Sequence, residues 1–419
     1  MLRKQGPLII FAIIAIFIAV HFGLAGPSFD PSVAGPAMLG GAAYLLMTCS
    51  IFLATRAAFL EDLFGGLDRM YQVHKFCGIF ALLLILPHFF LAPKDLPEGT
   101  DAVVNSLTPS APAGMLAMIL LILSLVIALN RKISYSRWRP MHKAMGLVYI
   151  LATVHFFTIP EVFANTFGPS LPILYLAGAI GIVSFFYSIF GMNKRTALEY
   201  RLDEVNGLER ATELVLSPVS TPMSYKAGQF AFIEIEGKDW NEPHPFTISS
   251  SPGEDKLRFT LKVLGDWTRK VREELEPGAK VLVRGPYGRF DTTKARDKQI
   301  WLAGGIGLTP FLSSLRDMKQ DDSRDIHLVY AAREENDAIY LDELKALAAK
   351  LGNITLVPLF SDEGNFARVD IMKEKLPDPL DSYDYFMCGP KPMIDGLMKG
   401  LKSEGVARNN IHTEAFEFR

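Results

Sequence analysis

Cysteine is scarce in this chain. Only Cys49, Cys77 and Cys388 occur among 419 residues, and none lies near another. That spacing excludes a CxxC motif and a disulfide framework, so the soluble part reads as a protein of a reducing compartment. Excess charge is also missing. The net charge is −2, and no basic stretch is interleaved with aromatics, so nothing points to a nucleic-acid partner. What charge there is falls unevenly. Residues 1–192 hold nearly all of the long apolar runs, whereas residues 193–419 read as a soluble α/β chain.

Six apolar stretches, roughly 8–25, 36–55, 71–92, 113–130, 142–159 and 171–192, each have about the length needed to cross a hydrocarbon core of about 30 Å. The first also has the outline of a signal peptide, with Arg3 and Lys4 before it and small residues near Ala25. Its long core favours an uncleaved span. Lys and Arg in short loops set the orientation. Arg3, Lys4, Arg56, Arg69, Lys75, Arg131, Lys132, Arg137, Arg139, Lys143, Lys194 and Arg195 fall on one side. The opposite loops carry only Lys94, beside Asp95, Glu98, Asp101 and Glu161. Both termini and the whole soluble half are therefore expected in the cytoplasm.

Two of these spans carry histidine near each end: His74 and His88 in the third, His142 and His155 in the fifth. An imidazole in a bilayer is expensive without a partner, so its first reading is functional. A single one would read as a hydrogen-bonded core residue, and His21 in the first span is taken that way. Four in two matched pairs suggest the axial ligands of two stacked haems. The two spans run in the same direction, so His74 pairs with His142 at the cytoplasmic level and His88 with His155 further out. A separation of 13–14 residues corresponds to about 20 Å along a helix.

The facing is uneven. Fourteen residues return a side chain to within about 40° of its starting face, but thirteen miss by about 140°. An irregularity near His142 is therefore expected, and Pro140 permits one. Arg69, Arg131, Arg137 and Arg139 lie at the level of the first pair, where they could meet haem propionates or simply mark the cytoplasmic side.

In the soluble half, residues 200–290 alternate short β-type runs with turns: Glu213–Leu216, Phe230–Glu236, Phe246–Ser249, Leu257–Val263 and Lys280–Arg284. That spacing suggests a small antiparallel barrel. Residues 298–390 then alternate strands with helices, which implies a doubly wound parallel sheet. Three stretches carry chemistry. His244–Ser251, HPFTISSS, offers Phe246 to a flat ring and the hydroxyls of Thr247 and Ser249 to ring heteroatoms. Arg284–Phe290, RGPYGRF, is a glycine-flanked turn. Gly304–Phe311, GGIGLTPF, follows a strand and opens a helix, where glycines let backbone N–H groups approach a phosphate.

The histidine quartet, HPFTISS, RGPYG, GGIGLTPF, the Cys388-Gly389-Pro390 turn and the aromatic C-terminus together resemble the NADPH oxidase/ferric reductase superfamily. The soluble half is similar to ferredoxin–NADP reductases. The likeness covers almost the whole chain, and the short loops look like those of prokaryotic members, without calcium-binding or peroxidase extensions.

The resemblance implies a six-helix transmembrane haem domain over 1–192, an FAD-binding β-barrel over 193–296 and an NAD(P)H-binding α/β domain over 297–419. His74, His142, His88 and His155 would ligate two b-type haems. Phe246 would lie by the flavin ring, Thr247 by its reactive nitrogen and His244 by the FAD phosphates. Pro245, Ser249, Ser250 and the turn Arg284, Gly285 to Gly288 would complete the FAD site. Gly304, Gly305, Gly307 and Thr309 would cradle the nicotinamide nucleotide. Cys388, Gly389 and Pro390 would border the nicotinamide, and Phe416 would cover the flavin.

Arg333 stands where the family often places a cation for a 2′-phosphate, but Glu334 and Glu335 follow it. NADPH is therefore favoured with NADH possible. The implied activity is electron transfer from NAD(P)H through FAD and the haems to an outer acceptor in a bacterial inner membrane. The acceptor is O2, giving superoxide, in keeping with the twelve residues between His142 and His155. Many iron reductases have thirteen in both pairs. A ferric-chelate reductase and a haem subunit serving a periplasmic partner protein are the alternatives. No obligatory activator protein is expected.

Overall fold

The computed structural model describes residues 5–23, 31–92, 109–130, 133, 135–159, 165–192, 196–237, 240 and 242–414. The chain divides between residues 194 and 195 into two compact units.

The first unit is helical. Its helices are α1 (Gln5–Gly23), α2 (Pro31–Leu53), α3 (Ala58–Phe64), α4 (Leu67–Leu91), α5 (Ser110–Leu129), α6 (Tyr135–Lys143), α7 (Met145–Phe157) and α8 (Leu171–Ile189). Most are apolar all round. Exposed Phe11, Phe80, Leu123, Val126, Val183 and Phe190 face outward, as lipid-facing positions do. The interior is made by α2 packing along α4, α5 along α7, and α8 against α2. Tyr149 anchors it. Its ring stacks on Tyr44 at 5.2 Å and 4°, and its hydroxyl bonds Thr48 at 2.8 Å and Ala177 O at 3.0 Å.

Among the described residues, five helices have the length and composition to cross a membrane, not the six expected. The difference lies in the fifth expected span. It is broken at Ala144 into α6 and α7, of nine and thirteen residues, and neither is long enough by itself. Ala144 N donates to Met141 O at 3.1 Å and Leu147 N to Ala144 O at 2.9 Å, the tighter i→i−3 pattern of a 3₁₀ turn. This is the irregularity that the thirteen-residue spacing requires. It turns His142 and His155 to a common side. His21 is a buried core residue, as its sequence context implies, and its ring bonds Ala34 O at 3.0 Å and Ser170 Oγ at 3.2 Å.

The second unit contains two sheets. Strands β1 (Ala197–Gly207), β2 (Ala211–Pro218), β3 (Phe230–Ile235), β4 (His244–Thr247), β5 (Leu257–Lys262) and β6 (Lys280–Tyr287) pair antiparallel in the order β4-β3-β6-β1-β2-β5. A bridge between Ile248 and Phe259 joins the two edges, so the sheet closes into a barrel around Leu214, Leu216, Ile233, Phe259, Val281 and Val283. Helix α9 (Asp266–Glu274) lies between β5 and β6 in sequence.

The parallel sheet comprises β7 (Lys298–Gly304), β8 (Asp325–Ala332), β9 (Ile354–Phe360), β10 (Asp384–Cys388) and β11 (Ile411–Glu414), in the order β11-β10-β7-β8-β9. Its helices are α10 (Thr309–Asp317), α11 (Leu341–Leu351), α12 (Val369–Lys375) and α13 (Lys391–Ser403). This is a doubly wound order, and the direction of winding reverses between β7 and β10.

A polar clamp joins barrel and parallel sheet. Arg316 on α10 forms a bidentate pair with Glu343 at 2.7 and 2.8 Å and donates to Ser249 O at 2.8 Å. Ser313 donates to Ser250 O at 2.6 Å, and Ser251 to Asp317 at 2.9 Å. The Arg316 side chain is only 10% exposed and Glu343 34%. Arg316→Ala should therefore cost about 2–4 kcal/mol, less than for a fully buried pair because Glu343 is partly hydrated. Limited proteolysis between the two sheets, with thermal melting, measures it.

His327 on β8 is 5% exposed. Burial pushes its imidazole below the ordinary value, against the opposing pull of Asp325 and Asp378. The unfolded chain thus takes up a proton near pH 6.5 that the folded chain refuses. Stability is expected to fall as pH drops below about 6.5 towards the lowered folded value. His327→Gln should flatten that part of the melting profile.

Candidate functional site

The helical unit brings the four histidines together in the expected pairs. The His74 and His142 rings lie 5.7 Å apart and the His88 and His155 rings 6.1 Å apart, both inclined at 72°. Helix α4 carries His74 and His88, α6 carries His142 and α7 carries His155. Three of the four are oriented by backbone carbonyls of neighbouring helices. His74 Nδ1 lies 2.8 Å from Ser50 O, His88 Nδ1 2.8 Å from Pro36 O, and His155 Nδ1 2.9 Å from Ser110 O. The carbonyl can only accept, so each Nδ1 carries its proton and each Nε2 keeps a lone pair. His142 differs. Its Nδ1 is buried without a partner among the described residues, and its ring stacks on Trp138 at 4.8 Å and 18°.

Two rings on opposite sides of one metal ion have centroids about 6 Å apart, with each nitrogen about 2 Å from the ion and each centroid about 1 Å beyond it. The observed separations fit that arrangement. Arg131 lies outside the described residues, as do Arg3, Lys4, Lys132, Lys194, Arg195 and the charged positions 94, 95, 98, 101 and 161.

In the second unit the expected residues gather at two places. The first is the wall formed by β4. Thr247 pairs with Phe230 on β3, Phe246 with Ala231 and Pro245 with Phe232. Thr247 is 4% exposed, and its Oγ1 is buried without a hydrogen-bond partner among the described residues. Such a group is waiting for an acceptor or donor from outside the chain. Trp267, near the start of α9, stacks on Phe246 at 5.8 Å and meets the tilted His244 ring at 4.1 Å. His244 Nε2 lies 3.7 Å from Glu242.

Ser249 and Ser250 are fully buried and engaged in the polar clamp. Ser249 Oγ accepts from Thr260 at 3.1 Å, and Ser250 Oγ lies 2.9 Å from Tyr225. Their hydroxyls are taken up within the barrel, and their carbonyls serve the joint between the sheets. Arg284 is likewise occupied, paired with Glu234 at 3.0 Å. Gly285 leaves room for Ala231, since a Cβ would fall 2.9 Å from it.

The second place is the carboxyl end of β7 and β10, the switch point where open α/β sheets bind ligands. The turn after β7 meets the turn after β10 here. A Cβ on Gly307 would fall 2.2 Å from Cys388 O, and one on Gly304 2.8 Å from Pro390. A Cβ on Gly389 would fall 3.0 Å from Gly304 Cα. These glycines are needed for close packing of one turn on the other. Gly305 is different, with φ +53 and nothing within 4 Å of a would-be Cβ, so its backbone faces open space. Thr309 is buried and donates to Ile306 O at 3.1 Å. The Cys388 side chain is fully buried in the cluster with Phe290, Trp301 and Phe311.

Arg333 is exposed after β8. The two glutamates that follow are paired: Glu334 lies 3.7 Å from Arg210, and Glu335 3.9 Å from Lys345. Their repulsion of a phosphate is correspondingly reduced. Phe416 lies outside the described residues.

Sequence reasoning passed over Trp267, Trp138 and Glu414. Trp138 precedes His142 by four residues, the spacing that places two side chains on one helix face. Trp267 follows Gly265-Asp266 at a helix start. Glu414 ends β11, and its Oε1 would lie 3.3 Å from a Cβ at Gly288 in the barrel turn.

Family comparisons divide the chain in the same order. Residues 39–153 match a ferric reductase like transmembrane component, residues 204–291 an FAD-binding domain, and residues 301–399 an oxidoreductase NAD-binding domain. The reductase component of propane 2-monooxygenase from Rhodococcus jostii is 27% identical over 48% of this chain and 59% of its own length. The ferredoxin reductase component of 3-ketosteroid-9-alpha-monooxygenase from Rhodococcus rhodochrous is 30% identical over 46% of this chain and 56% of its own. The chain thus spans less than two thirds of either relative.

A solved flavohemoglobin from Malassezia yamatoensis, 18% identical, aligns over 92% of this chain and 98% of its own with a TM-score of 0.53, a likeness of fold. The ordered set of transmembrane, FAD-binding and NAD-binding domains is the architecture of the NADPH oxidase/ferric reductase superfamily, with a ferredoxin–NADP reductase-like second half.

Proposed function

We propose that this chain carries electrons across a bacterial inner membrane, from cytoplasmic NAD(P)H through FAD and two b-type haems to O2 on the outer face, giving superoxide. The single observation behind the haem reading is the pair of histidine separations, 5.7 and 6.1 Å. Bound haem and flavin would supply the one-electron and hydride chemistry. The chain's own residues supply the rest. The rings of His74 and His142, and those of His88 and His155, stand across a gap of metal-ligand size. The carbonyls of Ser50, Pro36 and Ser110 keep the proton on Nδ1. Thr247 offers an unpaired hydroxyl beside Phe246, at the place where a flavin ring heteroatom would seat. Gly305 and the N-terminus of α10 open at the switch point towards a nucleotide phosphate.

The functional segments are 1–192, 193–296 and 297–419. The first crosses the bilayer six times when α6 and α7 act as one broken span. Lys and Arg in the short loops support a cytoplasmic reductase half. Ferric chelates, or a periplasmic protein, are the alternative acceptors. Turnover needs only NAD(P)H and FAD, with no activator.

Detergent-purified protein should show b-type absorbance and NADPH-driven cytochrome c reduction that superoxide dismutase abolishes. His88→Ala should keep flavin reduction by NADPH and lose cytochrome c reduction. Reduction that ignores dismutase moves the acceptor to a metal chelate or protein. Absence of b-type absorbance removes the haem reading.

Arg333, exposed and without an ion-pair partner among the described residues, would meet the 2′-phosphate. Arg333→Ala should raise KM for NADPH by about tenfold, the loss of one exposed charge-assisted contact. KM for NADH should stay unchanged. Equal effects on both nucleotides would remove Arg333 from phosphate recognition.

A further inference from the structure

The histidines on the far pair share an arrangement built into the neighbouring helices. His88 Nδ1 lies 2.8 Å from Pro36 O. Four residues on, a Cβ at Gly40 would fall 2.9 Å from the same imidazole. His155 Nδ1 lies 2.9 Å from Ser110 O. Four residues on again, a Cβ at Gly114 would fall 2.7 Å from its Nδ1. Residues i and i+4 stand one above the other on a helix face. Each ring therefore reaches its carbonyl through the space left by a missing side chain. Ser110 adds a hydroxyl, 3.1 Å from His155 Nδ1 and donating to His155 O at 3.0 Å. In the near pair His74 takes the same carbonyl and hydroxyl from Ser50, but the residue four positions on is Ala54 and not glycine, and His142 lies against the Trp138 ring.

We infer that Gly40, Gly114 and Ser110 are positioning residues for the His88/His155 pair alone. The inference rests on reading that pair as axial ligands. Each glycine admits the ring to the carbonyl, and the carbonyl fixes the proton on Nδ1 so that Nε2 points its lone pair at the partner histidine. Any side chain at 40 or 114 tilts one ring away from the shared axis. The three atoms nearest a Cβ at 40 all belong to His88 and those nearest one at 114 all belong to His155, so the His74/His142 pair keeps its geometry.

The test is electron paramagnetic resonance of the full-length oxidised protein in detergent, with the haem-to-flavin ratio measured on the same sample. The unsubstituted protein should give two low-spin ferric signals. Gly40→Ala and Gly114→Ala should each shift or abolish one signal and leave the other in place, with the ratio falling towards one haem per flavin. Gly23→Ala, at the end of α1, is the control, since a Cβ there meets nothing within 4 Å, and it should leave both signals unchanged.

Two unchanged signals in both glycine variants overturn the inference. An unsubstituted protein without haem overturns the axial-ligand reading beneath it, which is a separate and visible result. Where alanine at 40 or 114 costs both signals through misassembly, Ser110→Ala decides. A shift confined to one signal supports the inference, and an unaltered spectrum overturns it.

Discussion

The helical unit is shaped by one constraint, that a polar ring nitrogen inside hydrocarbon is costly without a partner, and among the described residues three of the four paired histidines meet it at Nδ1. Leaving such a group unsatisfied costs several kcal/mol, on the order of 2–7. Water is not available to help. The chain meets the demand with main-chain carbonyls, which helices ordinarily use up internally. Pro36, Ser50 and Ser110 each present a carbonyl to a histidine from an adjacent helix. That requirement explains why α2 lies so closely along α4, and α5 along α7. The packing of the bundle follows from where its imidazoles must reach.

The reductase half solves a different problem. A closed barrel and an open parallel sheet each bury their own apolar core, so nothing hydrophobic need hold them in register. The joint is polar instead. Arg316, Ser313, Asp317 and Tyr340 on the parallel-sheet side bond to Ser249, Ser250, Ser251 and Thr260 of the barrel, and Glu343 holds Arg316 in place. Hydrogen bonds are directional, so this joint sets an angle where an apolar contact would set only a distance. The β4 wall and the switch point are thereby held at a defined orientation to each other.

Much of this was readable from residues. The paired histidines and the strand–helix alternation have side-chain signatures, whereas the irregularity expected at Pro140 falls four residues later, at Ala144, with Pro140 inside α6. The broken span followed from arithmetic on 3.6 residues per turn. Other parts have none. A carbonyl that holds an imidazole looks like any other residue in a sequence, which is why Pro36 carried no signal. The glycines of GGIG read as a phosphate loop, yet Gly304 and Gly307 owe their smallness to the β10 turn pressed against them. That neighbour is more than eighty residues away in sequence. Strand β1 was missed although Leu198, Tyr200 and Leu202 alternate, because charged residues between them masked the period. Ser249 and Ser250 read as ligand hydroxyls because nothing local reveals that Arg316 and Ser313 claim their carbonyls.

The break at Ala144 gives the quartet one stiff rail and one jointed rail. Helix α4 runs unbroken from His74 to His88, so those two imidazoles move as a single body. On the other side His142 and His155 belong to separate helices, linked by a 3₁₀ turn. A tilt of α6, driven from its polar end, displaces His142 without dragging His155. The near level can thus adjust to what happens at the membrane surface while the far level keeps its alignment.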